Sequence, residues 1–228
     1  MSKRSLTILR GIMARTARTR LSAQEREIQI LQAATRVFAR SNYRLAATAD
    51  IALEASISEA AIYKYFPSKK DLFIRILKII GESILEIWQQ IATSEEGDSL
   101  SALRRMVRIF VETLRTHSDE IKVQFQALAE SDDPDIARQL RENNKAYVRF
   151  LADLIDRGKS DGVVRADVDP YAAGWFINGI GFTLTLVRLL DFDQDVGERR
   201  VIEMIDGYLD SLTGDRPTTK RTPDHSRR

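Results

Sequence analysis

The chain of 228 residues contains no cysteine, only two histidines, and little glycine or proline, with 11 and 5 residues respectively. Without cysteine it has no disulfide framework, no thiolate metal site and no cysteine nucleophile. One of the two histidines, His225, lies in the C-terminal tail. We therefore expect no histidine-rich metal site, no Ser-His-Asp triad, no catalytic residue and no cofactor. The scarcity of glycine and proline favours an all-α fold.

The charge of the chain is divided unevenly along its length. The net charge is only +2, but residues 1–75 carry 14 Lys and Arg against 6 Asp and Glu. The remaining 153 residues carry 21 basic against 27 acidic side chains. A basic first third joined to an acidic remainder is typical of a protein in which one module contacts phosphate. A basic face that is merely solvated is the alternative.

The two ends of the chain are predicted to be disordered. Residues 1–21 hold six basic side chains and no acid, and no apolar run of the length that a signal peptide needs follows them. With few apolar residues to bury, this segment is expected to be a basic arm that lies along DNA phosphates or in the minor groove. Alternatively, Met13 is the true start. Residues 214–228 form the second predicted disordered segment.

Helix-capping signals organise the rest of the chain into nine predicted helices. Ser22 and Glu25 form a capping box, Thr48 and Ser58 are expected to cap two short helices, and Ser68 opens a long fourth helix. Asp-Pro pairs at 133–134 and 169–170 are typical of helix starts. The five further helices are predicted near residues 100–117, 119–130, 134–158, 170–190 and 196–212.

The two short helices, joined by Ala55, Ser56 and Ile57, fit a helix-turn-helix. This part of the chain resembles the TetR family of transcriptional regulators. The residues that carry the resemblance are Ala33, Phe38, Tyr43, Thr48, Ile51, Ala52, Ile57, Ser58, Tyr63, Tyr65, Phe66, Ser68, Lys69, Leu72 and Phe73. The resemblance implies a three-helix DNA-binding domain at residues 22–67 and a six-helix effector-binding and dimerisation domain at residues 68–213.

Two positions depart from the family pattern. Asn42 follows the first helix and Ser56 lies in the helix-turn-helix turn, where the family usually has glycine. Both residues are expected to adopt positive φ, which asparagine tolerates better than serine does. A serine held there costs on the order of 1 kcal/mol.

The third helix is expected to present its N-terminal turn to the major groove. Its base-reading residues are predicted to be Glu59, Ala60, Ala61 and Lys64. Glu59 could accept a hydrogen bond from cytosine, or it could simply complement the helix dipole. The resemblance implies phosphate contacts from Thr48, Tyr63, Tyr65 and Lys69, although Thr48 could be only a cap. The complete predicted DNA-binding set is Thr48, Ser58, Glu59, Ala60, Ala61, Tyr63, Lys64, Tyr65 and Lys69.

The larger domain is expected to form a homodimer and to bind a small molecule. In the family the last two long helices usually make a four-helix interface, which residues 170–190 and 196–212 fit; a buried monomer core is the alternative. A membrane span is not expected at residues 171–190, because the flanks are acidic. A largely apolar effector pocket is predicted to be lined by Trp88, Phe110, Phe125, Tyr147 and Asn178, for which core packing is the alternative role.

Taken together, these patterns predict a cytoplasmic, ligand-responsive regulator. It is expected to bind a palindromic operator as a dimer, to act as a repressor, and to be released from DNA by its effector. The alternative is a sequence-tolerant architectural DNA-binding protein without an effector.

Overall fold

The computed structural model describes residues 22–94, 97–116, 118–192 and 197–213. The predicted arm, the predicted tail and residue 196 of the predicted interface lie outside these residues. The described part of the chain forms nine α-helices and one short 3₁₀ helix, and its only β-structure is an isolated bridge between Val164 and Thr213. The helices are α1 (Ala23–Leu45), α2 (Thr48–Glu54), α3 (Glu59–Tyr63), α4 (Lys69–Thr93), α5 (Ser99–Thr116), α6 (Ser118–Gln126), α7 (Pro134–Ser160), α8 (Pro170–Leu189) and α9 (Glu198–Ser211). The 3₁₀ helix spans Ala127–Glu130. The predicted all-α fold is confirmed.

Most of the predicted caps start their helices. The Glu25 amide donates to Ser22 Oγ at 3.2 Å and the Ser22 amide donates to the Glu25 carboxylate at 2.8 Å, which completes the capping box. Ser58 and Ser68 cap α3 and α4 through their hydroxyl oxygens. The prediction that Thr48 is a cap is wrong, because Ala47 holds the N-cap position and Thr48 is the first residue of α2.

The two positions that depart from the family pattern both have positive φ, as predicted. Asn42 has φ 59° and ψ 168°, a region that is populated almost only by glycine. Its side-chain oxygen accepts a hydrogen bond from the Leu45 amide at 3.1 Å, which partly compensates. Ser56 has φ 54° and ends α2 in a Schellman motif, with the Ile57 amide donating to Ala52 O and the Ser56 amide to Leu53 O.

Ser56→Gly is expected to raise the free energy of unfolding by up to about 1 kcal/mol, because glycine adopts this backbone conformation without the Cβ penalty. Chemical denaturation measures the change. Ser56→Ala is the matched control, since it retains the Cβ and should gain nothing. A melting temperature several degrees below that of the wild type for Ser56→Gly would show that the turn does not use this conformation in solution.

The apolar residues form two clusters. The first is formed by α1 through α4 and contains Phe38, Ile51, Ala52, Ile62 and Phe66, all of which are buried, with Ile57 half-buried against it. It also includes residues 123, 127, 136 and 140 from α6, the 3₁₀ helix and α7. The second cluster is built from α4 to α9. The predicted boundary at residues 67–68 stays a prediction, and the first core extends across it.

Candidate functional site

The helix-turn-helix is held in place by its contacts with α1. The Gln29 side-chain amide donates to the Ala55 carbonyl at 2.8 Å, directly at the turn. Glu54, at the end of α2, forms ion pairs with Arg36 at 2.7 Å and with Arg40 at 3.6 Å. Arg36 holds the pKa of the Glu54 carboxyl below its usual value through this hydrogen bond. These contacts orient α2 and α3. They also pair Arg36 and Arg40 with a carboxylate of the same chain.

One face of α3 is buried and the other is free for DNA. Ile62 is 2% exposed and joins the first core. Glu59, Ala60 and Lys64 are exposed, and Ala61 is half-buried at the edge of the same face. Within the part of the chain that the structure describes, the side chains of Glu59 and Lys64 form no hydrogen bond and no ion pair. The predicted base-reading residues therefore lie outside the buried face, with Glu59, Ala60 and Ala61 at the start of α3 and Lys64 at its C-cap.

Two predicted phosphate-contacting residues meet between α2 and α3. The Tyr63 hydroxyl donates to Thr48 Oγ1 at 3.3 Å, and Tyr63 is 49% exposed. This pair presents two hydroxyl groups at the surface beside the exposed face of α3. Ser58 is exposed, but its hydroxyl oxygen accepts a hydrogen bond from the Ala61 amide. Tyr65 is half-buried against the first core.

The Lys69 ammonium is placed differently from the prediction. It donates to the carbonyls of Tyr43 and Ala46, both at 2.9 Å, and to that of Arg44 at 3.3 Å. It also lies 4.9 Å from the centroid of the Tyr43 ring. In the structure the donors of this ammonium satisfy the carbonyls at the end of α1, and a phosphate contact from Lys69 stays a prediction. The Lys69 backbone remains at the N-terminus of α4, where amides favour an anion.

Methionine substitutions at Lys69 and Lys64 should affect different properties, the stability of the fold for Lys69 and DNA binding for Lys64. Lys69→Met is expected to lower the free energy of unfolding by about 1–2 kcal/mol, because three carbonyls lose a charged donor. Lys64→Met, the matched control, should leave stability unchanged and weaken DNA binding. Thermal denaturation and a DNA-binding titration of both variants measure these effects. Equal stability of Lys69→Met and the wild type would contradict the capping role.

The second site is a cavity of about 90 Å³ among α4 to α8. The structure brings all five predicted effector-binding residues into its wall. The lining residues are Ile84, Trp88, Leu103, Met106, Val107, Phe110, Ile121, Gln124, Phe125, Asn144, Tyr147, Leu151, Ile177, Asn178, Ile180, Gly181, Phe182, Leu184 and Thr185. A concave, mainly apolar space with a few polar groups is typical of a small-molecule site.

Four polar side chains stand out in this wall. The Asn178 side-chain amide donates to Asn144 Oδ1 at 3.2 Å, which links α8 to α7. Tyr147 is buried, and its hydroxyl has no hydrogen-bond partner among the described residues. Burial raises the pKa of the Tyr147 phenol, and the Gln124 side chain, which lies near the hydroxyl without meeting hydrogen-bond geometry, offsets part of that rise. The phenol therefore stays protonated and can act as a hydrogen-bond donor.

Helix α4 connects the two sites. Near its N-terminus Lys70 forms ion pairs with Asp135 at 2.8 Å and Asp133 at 3.3 Å, both at the start of α7. About four and five helical turns further along, Ile84 and Trp88 reach the cavity wall. A change at the cavity can therefore be transmitted along α4 to the base of the helix-turn-helix.

The surface of α8 and α9 is unusually apolar. The large exposed apolar residues of these helices and the connection after α8 are Tyr171, Trp175, Phe176, Phe182, Leu186, Leu190, Phe192 and Met204. Phe176 of α8 also stacks on Tyr208 of α9, with ring centroids 4.3 Å apart. Within the described residues, α8 is the one helix with the length and hydropathy to cross a membrane, and only 22% of that stretch is buried. Length and composition are weak evidence for a span.

Sequence reasoning missed Gln124 and Asn144 in the cavity wall. Neither stands out from the other polar residues of an amphipathic helix, and only the tertiary arrangement of α6, α7 and α8 around the cavity brings them into one wall with Tyr147 and Asn178. It also did not anticipate that most arginines and lysines around the helix-turn-helix bind partners within the chain.

Two family models match the sequence. The model described as "Bacterial regulatory proteins, tetR family" matches residues 30–76, which include the helix-turn-helix. The model described as "Tetracyclin repressor-like, C-terminal domain" matches residues 96–185, which include most of the cavity wall.

Curated relatives agree with these matches. The transcriptional activator FasR of Mycolicibacterium smegmatis is 29% identical over 60% of this chain and 62% of its own length. The transcriptional regulator TtgR of Pseudomonas putida is 28% identical over 72% of this chain and 81% of its own length. The chain spans 35% and 62% of the length of the first curated relatives that it matches.

Solved structures share the fold. The transcriptional regulator FadR of Bacillus subtilis, in complex with stearoyl-CoA, superimposes with a TM-score of 0.65 at 21% identity. The match covers 82% of this chain and 97% of FadR. At this identity the likeness concerns the fold alone.

Proposed function

Because the chain belongs to the TetR family of bacterial transcriptional regulators, we propose that it is a cytoplasmic repressor that binds a palindromic operator as a homodimer. A small, largely apolar effector releases it from DNA. The observation that carries this proposal is the helix-turn-helix, in which α3 exposes Glu59, Ala60 and Lys64 beside the Thr48–Tyr63 hydroxyl pair.

Sequence specificity is assigned to the exposed end of α3. The major groove admits one helix, and its base edges carry a pattern of donors and acceptors that side chains at a helix N-terminus can contact. Glu59 accepts from the cytosine amino group, the methyl groups of Ala60 and Ala61 pack against thymine, and Lys64 contacts guanine or phosphate. The hydroxyls of Thr48, Ser58, Tyr63 and Tyr65 and the backbone amide of Lys69 contact DNA phosphates, which fixes the register of the protein on the duplex without reading sequence.

Selection from a random pool of double-stranded DNA tests specificity. The wild type should enrich a palindrome with half-site centres about 34–36 Å apart. Glu59→Ala should change the preferred base at one position in each half-site, since a lost base contact costs about 1–3 kcal/mol of discrimination. Glu142→Ala, an exposed acid on α7, is the control and should select the wild-type sequence.

Two outcomes of this selection would contradict the proposal. Failure of the wild type to prefer any sequence over random DNA would favour the architectural alternative. If Glu59→Ala selects the same DNA sequence as the wild type, the Glu59 carboxylate reads no base and only complements the helix dipole. Affinity should also fall steeply with salt, by about 0.9 log units per log unit of salt for each neutralised phosphate.

Dimerisation is assigned to α8 and α9. Their exposed aromatic and aliphatic side chains form an apolar surface that a soluble monomer rarely leaves open. A two-fold interface is self-complementary, so the same surface on a second copy covers it. This arrangement also explains the apolar composition of α8 without placing the helix in a membrane.

Trp175→Glu is expected to raise the dimer dissociation constant at least tenfold, because a central aromatic side chain is replaced by a charge. Operator affinity should fall in parallel, because a dissociated subunit contacts only one of the two half-sites. Analytical ultracentrifugation and a DNA titration measure the two effects. Leu128→Glu, which also alters an exposed apolar residue but lies outside α8 and α9, is the control. A Trp175→Glu protein that remains dimeric would contradict the assigned interface.

Effector control is supported by the cavity and by its connection to α4. Trp88 of α4 lines the cavity, while Lys69 and Lys70 at the other end of α4 hold α1 and α7. The dimer can adopt one conformation whose α3 helices match the half-site spacing of the operator and another in which they do not. An effector that binds the second conformation more tightly shifts the protein toward it and so releases the DNA. The fold relative FadR is described with stearoyl-CoA bound, which supports a small-molecule site in this fold.

A further inference from the structure

A buried hydroxyl without a partner marks the most specific feature of the cavity. Tyr147 is 4% exposed, and its hydroxyl neither donates nor accepts a hydrogen bond within the described residues. A buried polar group left in this state destabilises the folded protein until a partner satisfies it. Two other buried side-chain atoms lack partners, Ser99 Oγ and Gln126 Oε1, but neither residue lines the cavity. Tyr147 alone combines an unpaired hydroxyl with a position in the cavity wall.

The cavity wall carries no countercharge for an ionic ligand. Among the described residues that line it, none is Asp, Glu, Lys, Arg or His. Its polar groups are the amides of Gln124, Asn144 and Asn178 and the hydroxyls of Tyr147 and Thr185. A charged group buried here would lose its hydration without gaining an ion pair, which is strongly unfavourable. The remaining wall is aliphatic and aromatic.

Three of the polar groups are already occupied. The Asn178 amide donates to Asn144 Oδ1, and the Thr185 hydroxyl donates to the Gly181 carbonyl at 2.9 Å. Asn144 Nδ2 also donates, to the Leu140 carbonyl at 2.9 Å. The Tyr147 hydroxyl is thus the fully buried donor in the wall that gains a hydrogen bond when a ligand supplies an acceptor, and the half-buried Gln124 amide is the other donor there. The ring of Tyr147 also lies against Trp88 of α4, with centroids 5.6 Å apart. A ligand held by this hydroxyl contacts the residue that leads toward the DNA-binding domain.

We infer that the cavity takes an uncharged, mainly apolar molecule with one hydrogen-bond acceptor, such as a ketone carbonyl, and that Tyr147 selects it by donating to that acceptor. This inference rests on the proposed effector site and specifies its ligand chemistry. Tyr147 is the residue that distinguishes the acceptor-bearing molecule from a hydrocarbon of the same shape, and the missing countercharge distinguishes it from an acid.

Three probes with ten carbon atoms each test the two distinctions: butyrophenone, butylbenzene and 4-phenylbutyrate. Isothermal titration calorimetry of the full-length protein with each probe measures affinity. The wild type should bind butyrophenone about tenfold more tightly than butylbenzene, and 4-phenylbutyrate more weakly than the ketone. Tyr147→Phe should abolish the preference for the ketone over the hydrocarbon while leaving butylbenzene affinity unchanged.

Controls separate recognition from folding. Tyr147→Phe should melt no lower than the wild type, because it removes an unsatisfied buried hydroxyl and keeps the ring. Tyr43→Phe, which alters a half-buried tyrosine in the other apolar cluster, should retain the ketone preference. Absence of ketone preference in the wild type, its persistence in Tyr147→Phe, preferred binding of 4-phenylbutyrate, or binding of none of the probes would each overturn the inference.

Operator affinity measured with saturating butyrophenone distinguishes this inference from the proposed function. Tyr147-dependent ketone binding that leaves operator affinity unchanged would support the ligand chemistry and contradict effector release. Release of the operator by a charged compound that binds independently of Tyr147 would support effector control and overturn the inferred chemistry.

Discussion

The close approach of α4 and α7 at Gly81 is the constraint on which the coupling of the two sites depends. A Cβ atom at position 81 would lie 2.6 Å from Asn143 Oδ1, so only glycine leaves room for that side chain. Asn143 is buried, and its amide donates to the Leu77 carbonyl of α4 at 2.9 Å while its oxygen accepts from Gln139 at the same distance. A satisfied buried amide of this kind fixes the register of two helices.

This contact lies between the two ends of α4 that matter for function. Toward the N-terminus, Lys70 ties α4 to the carboxylates that begin α7. Toward the C-terminus, Trp88 forms part of the cavity wall. Because α4 is packed on α7 on both sides of Gly81, a ligand cannot displace the cavity end without acting on the same interface. The first apolar core strengthens this connection, since it includes Ile136 and Leu140 of α7.

The electrostatics of the DNA-binding region differ from what its composition suggests. Arg36, Arg40 and Arg44 form ion pairs with glutamates, and Lys69 caps α1 through its ammonium. Lys64 is left facing solvent beside the exposed end of α3. The basic residues around the helix-turn-helix therefore serve mainly to hold it together.

The sequence by itself determined the helices and the two unusual backbone positions, because caps and positive φ are set by local chemistry. Ser22, Ser58 and Asp133 start helices through bonds to amides two or three residues away, and Asn42 and Ser56 occupy sites where glycine is usual. The predicted effector-binding residues come from separate predicted helices and line one cavity in the structure, and the sequence left core packing as their alternative role.

Only the tertiary structure decided which polar groups are satisfied. Lys69 has the sequence position of a phosphate ligand, yet the end of α1 lies within its reach and offers three carbonyls. Threonine is a residue type that often caps helices, but Ala47 holds the N-cap position and Thr48 accepts a hydrogen bond from the Tyr63 hydroxyl instead. The isolation of the Tyr147 hydroxyl depends on α6, α7 and α8 packing together. Such pairings join residues distant in the chain, and no local pattern encodes their distances.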